Sequence, residues 1–185
     1  MIGVNWYHHD FVWPQTQAPE WSVKVERWYQ LDAAAFALAE TFWRHRESLT
    51  SRPDVLFLAS PLASNPTDDA FEASPTPAKF VHTLPNIRGA VLLQLMGWAG
   101  EVYCLQKDPQ TLVAALSEGM QTVRSGAREC WVVGVTGASG IFTGHVFRLR
   151  NDATESDQKI TEKLAEDMAN ATTRDKDLLL WLKGE

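Results

Sequence analysis

Ile2, Val4 and Trp6 alternate with smaller or polar residues at the start of the chain. That period of two predicts a first strand. Residues 13–30 lose the alternation and are rich in Trp, Pro and Gln, so they read as an irregular connection. Over 31–46, Leu31, Ala35, Leu38 and Phe42 fall on one stripe, which predicts a helix. The run DVLFLAS, 54–60, is short and apolar throughout, as in a strand covered on both faces. Residues 60–79 are crowded with prolines and turn formers and read as a long loop. Loops of that length inside a domain are usually functional or sit at an interface.

A helix is expected next, starting near Asn86. Ile87, Val91, Leu92, Leu95 and Met96 cover more than one of its faces, so it should be buried on several sides, partly by its own core and partly by a second chain. EVYCL, 101–105, is the following strand. Asp108 then reads as an N-cap and Pro109 as the first helical residue. Leu112, Leu116, Met120 and Val123 mark the buried stripe of this helix, and Gly126 ends it. CWVVGV, 130–135, is another doubly covered strand. In HVFRLR, 145–150, Phe147 and Leu149 alternate with Val146, Arg148 and Arg150, which suggests an antiparallel return by a hairpin. The order strand, helix, strand, helix, strand, helix, strand, strand predicts a three-layer α/β fold. Its sheet should be five-stranded, mostly parallel, with one antiparallel strand. These elements place one domain at 1–150 and a polar extension at 151–185, where Leu178, Leu179, Trp181 and Leu182 could dock a short helix.

Composition narrows the function classes. With 185 residues, 45% of them hydrophobic and 22% charged, the chain is an ordinary globular protein able to bury a core. A net charge of −6 gives no electrostatic reason to bind nucleic acid or an anionic membrane. No apolar run reaches the length of a membrane span, and the first residues lack a signal-like core, so a cytoplasmic protein is expected. Cys104 and Cys130 both lie in apolar runs, where buried reduced thiols are expected rather than a disulfide. No Cys or His spacing supports a metal site.

Three further signals carry potential chemistry. The glycine-rich segment around 136–144 resembles, locally, the flavin-binding start of flavin prenyltransferases and the nucleotide loop of short-chain reductases. A phosphate loop must feed a helix, and here a strand follows, so a Gly/Ser hairpin is the plainer reading. His8, His9, His45, His82 and His145 are scattered, and adjacent His8 and His9 must point to opposite faces of a strand. Trp6, Trp13, Trp21 and Trp28 precede the first helix and could line an aromatic groove or pack a core.

The stretch from Ser74 to Gly137 has a wider likeness. Ser74-Pro75, Phe80, Leu84-Pro85-Asn86, Gly89, Gly97 and Gly100 precede the strand 102–105, the helix LVAALSEGMQTVRSG and the strand ECWVVGVTG. With the earlier helix and strand, this resembles the N-terminal half of a β-ketoacyl synthase, a condensing enzyme of the thiolase fold, over most of 1–150. The resemblance implies a nucleophilic Cys at the turn into the helix, where helix dipole and neighbours lower its pKa. That position falls on Pro109, with Gln110 beside it. Cys104 lies earlier, on the strand. The second half of such enzymes, with its histidines, has no counterpart here. The resemblance therefore implies a non-catalytic accessory subunit, of chain-length-factor type, in a polyketide or fatty-acid-like pathway, including aryl-polyene-type pigments. It needs no cofactor. It would form a homodimer, or a heterodimer with a full-length ketoacyl synthase, and could meet an acyl carrier protein. The implied interface comprises Val102, Tyr103, Cys104 and Leu105 with Asn86, Val91 and Leu95. A flavin- or nucleotide-binding enzyme using 136–144, and a pure interaction module, are the alternative readings.

Overall fold

The structure is a computed structural model that describes residues 2–60, 71–76, 87–107, 110–138, 140–152 and 175–183. Its strands are β1 (Gly3–Val12), β2 (Val55–Ala59), β3 (Glu101–Leu105), β4 (Glu129–Ala138) and β5 (Ile141–Arg150). Its α-helices are α1 (Ala33–His45), α2 (Ile87–Met96), α3 (Thr111–Arg124) and α4 (Asp175–Lys183). The sheet order is β1-β5-β4-β2-β3. β4, β2 and β3 pair in parallel, while β5 is antiparallel to both β1 and β4. One reversed strand in an otherwise co-directional sheet is the arrangement expected from the order of elements.

The alternation of side chains across the sheet builds a core on each face. Leu56, Leu58, Trp131, Val133 and Val146 face one way and pack with Phe36, Leu38, Phe42, Leu92 and Met96 of α1 and α2. Phe57, Ala59, Cys130, Val132, Phe147 and Leu149 face the other way and pack with Leu112, Leu116, Met120 and Val123 of α3. Leu178 and Leu179 of α4 complete that second core. Asp32 starts α1 by accepting the Ala35 amide at 2.7 Å, a cap of about 1 kcal/mol. Residues 13–30 form two short 3-10 turns, Glu20–Lys24 and Trp28–Gln30. Trp21 is fully buried there, with its indole N–H donating to Glu40 at 2.9 Å.

Several expectations change. The first strand runs on to Val12, and the glycine-rich segment is itself the end of a long hairpin. Gly137 (φ 148°) and Gly140 (φ 84°) take left-handed backbone at its tip, which favours glycine. α3 begins at Thr111, with Gln110 at the N-cap position; Asp108 and Pro109 lie outside the described residues, as do Asn86 and His82. α2 does not expose its large apolar side chains. Val91, Leu92, Leu95 and Met96 are buried because α2 lies in the angle between α1 and the sheet, tied down where Gln94 donates to the Lys24 carbonyl at 2.8 Å. Val91 and Leu95 therefore serve this chain's own core. The polar Gln94 and small Ala90 are what α2 shows to solvent.

Candidate functional site

In open sheets with parallel strands, ligands and chemistry gather beyond the carboxyl ends of those strands. Here that edge is formed by Ser60 after β2, Lys107 after β3, and the start of α3. The Ser60 amide donates to Leu105 O at 3.0 Å, joining the two strand ends. Arg88, near the start of α2, donates to Ser60 Oγ at 3.0 Å and to Asp32 Oδ2 at 3.2 Å. The turn is closed by Gln110 N–H to Lys107 O at 2.6 Å, and by Lys107 N–H to Thr111 Oγ1 at 2.8 Å.

The first turn of α3 has the usual problem of a helix start: its leading N–H groups lack intrahelical acceptors. The first intrahelical bond runs from Ala114 N–H to Gln110 O, and the Gln110 side chain makes no cap. The missing acceptor comes from far along the chain. Asp175, buried at the first turn of α4, accepts from Leu112 N–H at 2.8 Å and from Val113 N–H at 2.9 Å, one bond to each carboxylate oxygen. Nothing in the local spacing announces this residue. The only trace in the sequence is an acidic residue opening an amphipathic helix.

Among the described residues this turn holds no thiol. Its hydroxyl, Thr111, is fully buried and already accepts the Lys107 amide. Cys104 sits on β3, and burial pushes its thiol pKa up, so it is less ionised than a free cysteine and poorly suited to attack. Cys104 is nonetheless an exposed residue, contrary to the buried site expected, because β3 is the last strand of the sheet. Cys130 is the buried thiol. Desolvation first, then the charges of Asp54 and Glu129, push its pKa to about 12.

The outer edge of β3 is the second feature of the site. Val102 and Cys104 face the α1–α2 side, while Tyr103 and Leu105 face the α3 side. Tyr103 is 50% exposed; its ring stacks on Phe57 at 5.5 Å and its hydroxyl donates to Glu101. The opposite edge strand, β1, carries Asn5, His8, His9 and Asp10 along its length, the polar dressing that discourages edge pairing. β3 has one charged residue, Glu101, followed by four that are apolar or aromatic.

The remaining candidates resolve as follows. Residues 136–144 turn back into β5 and feed no helix N-terminus, so they do not form the phosphate cradle of the nucleotide-enzyme reading. His145 is buried, receives the Trp6 indole N–H at Nδ1 (3.3 Å), and stands 2.8 Å from Thr136 Oγ1 through Nε2. With Nδ1 accepting, Nε2 carries the proton and donates to the hydroxyl. Burial, then Arg44, lower the pKa of His9, and His45 donates from Nε2 to the His8 carbonyl. Trp13, Trp21 and Trp28 pack on Phe36 rather than lining a groove. Among the described residues no group of three His, Cys, Asp or Glu side chains could hold a metal ion, and no helix is long and apolar enough to cross a membrane.

Solved structures decide the fold. A chain from the structure of a ketosynthase (ApeO) in complex with its chain length factor (ApeC) from Xenorhabdus doucetiae superposes with a TM-score of 0.62 at 11% identity, over 82% of this chain and 79% of the matched chain. The fold is that of a ketoacyl synthase. β-Ketoacyl-[acyl carrier protein] synthase III of Thermus thermophilus aligns at TM-score 0.43 and 13% identity, over 83% of this chain and 51% of that enzyme. The 3-oxoacyl-(acyl carrier protein) synthase III of Pseudomonas aeruginosa PAO1 gives 0.45 and 16%, over 83% and 53%. The chain thus spans about half the length of these two synthases. No protein-family model and no curated protein sequence matches.

Proposed function

We propose that this chain is a ketosynthase-like accessory subunit without condensing activity, which works by pairing through β3 with a ketosynthase of a polyketide or fatty-acid-type pathway. The observation that carries the reading is that, among the described residues, β3 is an edge strand without a neighbour on its outer side and the turn after it lacks an available nucleophile. An open strand with apolar and aromatic side chains is a template for a second strand, and joining it to its mate would extend the sheet across the interface. The similarity to a chain from a ketosynthase–chain length factor complex supports this partner over others. The overlap covers 82% of one chain and 79% of the other, so the matched chain is close to this one in length. Two copies of this chain, and contact with an acyl carrier protein, belong to the same reading as less favoured assemblies.

The experiment is co-expression with full-length ketosynthases of the source genome, followed by affinity capture and light scattering. A stable one-to-one complex that is lost in Tyr103→Asp is the expected result. A chain that stays monomeric at high concentration and captures no ketosynthase overturns the reading.

A further inference from the structure

The turn at the start of α3 is closed by a residue that the accessory reading does not use. Asp175 lies 63 positions away from Leu112 in sequence, yet both of its carboxylate oxygens are spent on the α3 N-terminus. It is held there by more than these bonds. Leu178 and Leu179, on the next turn of α4, are buried against the α3-side core at 1% and 7% exposure, and Leu182 packs beside them. The N-terminus of a helix favours a negative charge, because its N–H groups and its dipole point outward. The same property lowers the pKa of a thiol placed there. In this chain the N-cap side chain, Gln110, leaves these donors alone, and an internal carboxylate takes them.

We infer that α4 is a built-in clasp: the Asp175 carboxylate fills the anion position at the head of α3, so the turn would stay chemically inert even if a nucleophile stood in it. Silence at this site then has two independent layers, the residue type at the turn and the occupied helix terminus. The inference goes beyond the accessory reading and does not depend on any partner, so either can fail alone.

The test places a thiol at the N-cap, beside the position that the resemblance gives to the nucleophile. Gln110→Cys is made in a Cys104→Ser background, and its alkylation by iodoacetamide is followed against pH by intact mass. With Asp175 in place, the thiol should titrate at or above the ordinary value of about 8.5. Adding Asp175→Asn removes the charge with little change in shape. It should raise the alkylation rate at pH 7 about tenfold, corresponding to a fall of about one pKa unit for loss of a nearby like charge. Asp175→Glu keeps the charge and should leave the profile near that of the parent. A structural disturbance would move both variants; a charge effect moves only the first. Equal profiles with and without Asp175→Asn overturn the clasp. Amide hydrogen exchange on the unmodified chain gives a second reading. The Leu112 and Val113 amides should be protected to the level of the α3 interior, and free exchange at both would overturn the inference without any variant.

Discussion

Replacing Glu129 should destabilise this protein strongly. Glu129 opens β4 and is 8% exposed. Its Oε1 accepts from Ser51 Oγ at 2.6 Å, Trp131 Nε1 at 2.5 Å and Arg148 Nε at 2.8 Å, while Oε2 accepts from Arg148 at 2.9 Å. The Arg148 side chain is itself only 15% exposed. Glu129→Ala would leave that guanidinium, an indole N–H and a hydroxyl short of their acceptor. Losing one member of a buried pair costs about 3–5 kcal/mol. For a chain of this size that corresponds to a fall of about 6–20 °C in melting temperature. Glu129→Gln keeps the shape and some of the bonds, and should cost about 1.5–3 kcal/mol.

The pH dependence separates charge from packing. Burial alone would raise the Glu129 pKa, but the bonds from Arg148, Ser51 and Trp131 outweigh it and hold the carboxyl below its usual range. A folded pKa below the unfolded one, about 4.3, means the group stabilises fully above that value. The contribution fades as pH falls through the folded pKa. Thermal melts of the parent between pH 7 and pH 3 should therefore steepen in acid, and part of that slope should vanish in Glu129→Gln. A loss below about 1 kcal/mol in Glu129→Ala, or an unchanged acid slope in Glu129→Gln, would refute the reasoning.

Other outcomes follow from the same geometry. Gly144 on β5 sits where an added Cβ would stand 2.5 Å from the Ala37 carbonyl of α1. Gly144→Ala should cost about 1–3 kcal/mol, measured by urea unfolding, because the backbone of α1 must give way together with the Thr41 hydroxyl, which would stand closer still. Gly137→Ala forces a side chain onto φ 148°, and backbone strain of about 1–3 kcal/mol should appear as a lower urea midpoint. Incubation with an acyl thioester should leave the intact mass unchanged. An adduct that vanishes in Cys104→Ser would show that the strand thiol is a nucleophile after all.

The layers of the fold were legible because each strand and helix declares its own period. The apolar runs at 54–60 and 130–135 are β2 and the body of β4, and Phe147 and Leu149 mark β5 on the correct face. The reversed strand was legible from the short connection between them. The boundaries were less so. Nothing in HHDFV or TGA looks like a strand on its own; β1 runs on to Val12 and β4 to Ala138 because each pairs with β5 residue by residue, both ending opposite Ile141. α2 misled for a related reason. A helix apolar on most sides needs cover, but periodicity does not say whose. Here α1, the sheet and the 3-10 segment tethered at Lys24 supply that cover within one chain.

The candidate site shows the same division more sharply. What could be read locally was the frame: a strand, a turn, a helix, and no thiol at the expected place. What could not be read is that the helix terminus is occupied from 63 residues away. A carboxylate that caps its own helix leaves a signature at fixed spacing. One that caps a different helix leaves none, because tertiary packing sets the distance. That asymmetry bears on how such a turn stays quiet. On the proposed reading, loss of a nucleophile is one substitution and is reversible by one substitution. An anion already seated on the helix donors opposes that reversal, since a thiolate restored there would face a like charge instead of free N–H groups. The edge of β3 has no such internal partner among the described residues, and it is there, rather than at the turn, that the chain still offers unmet hydrogen-bonding capacity to another molecule.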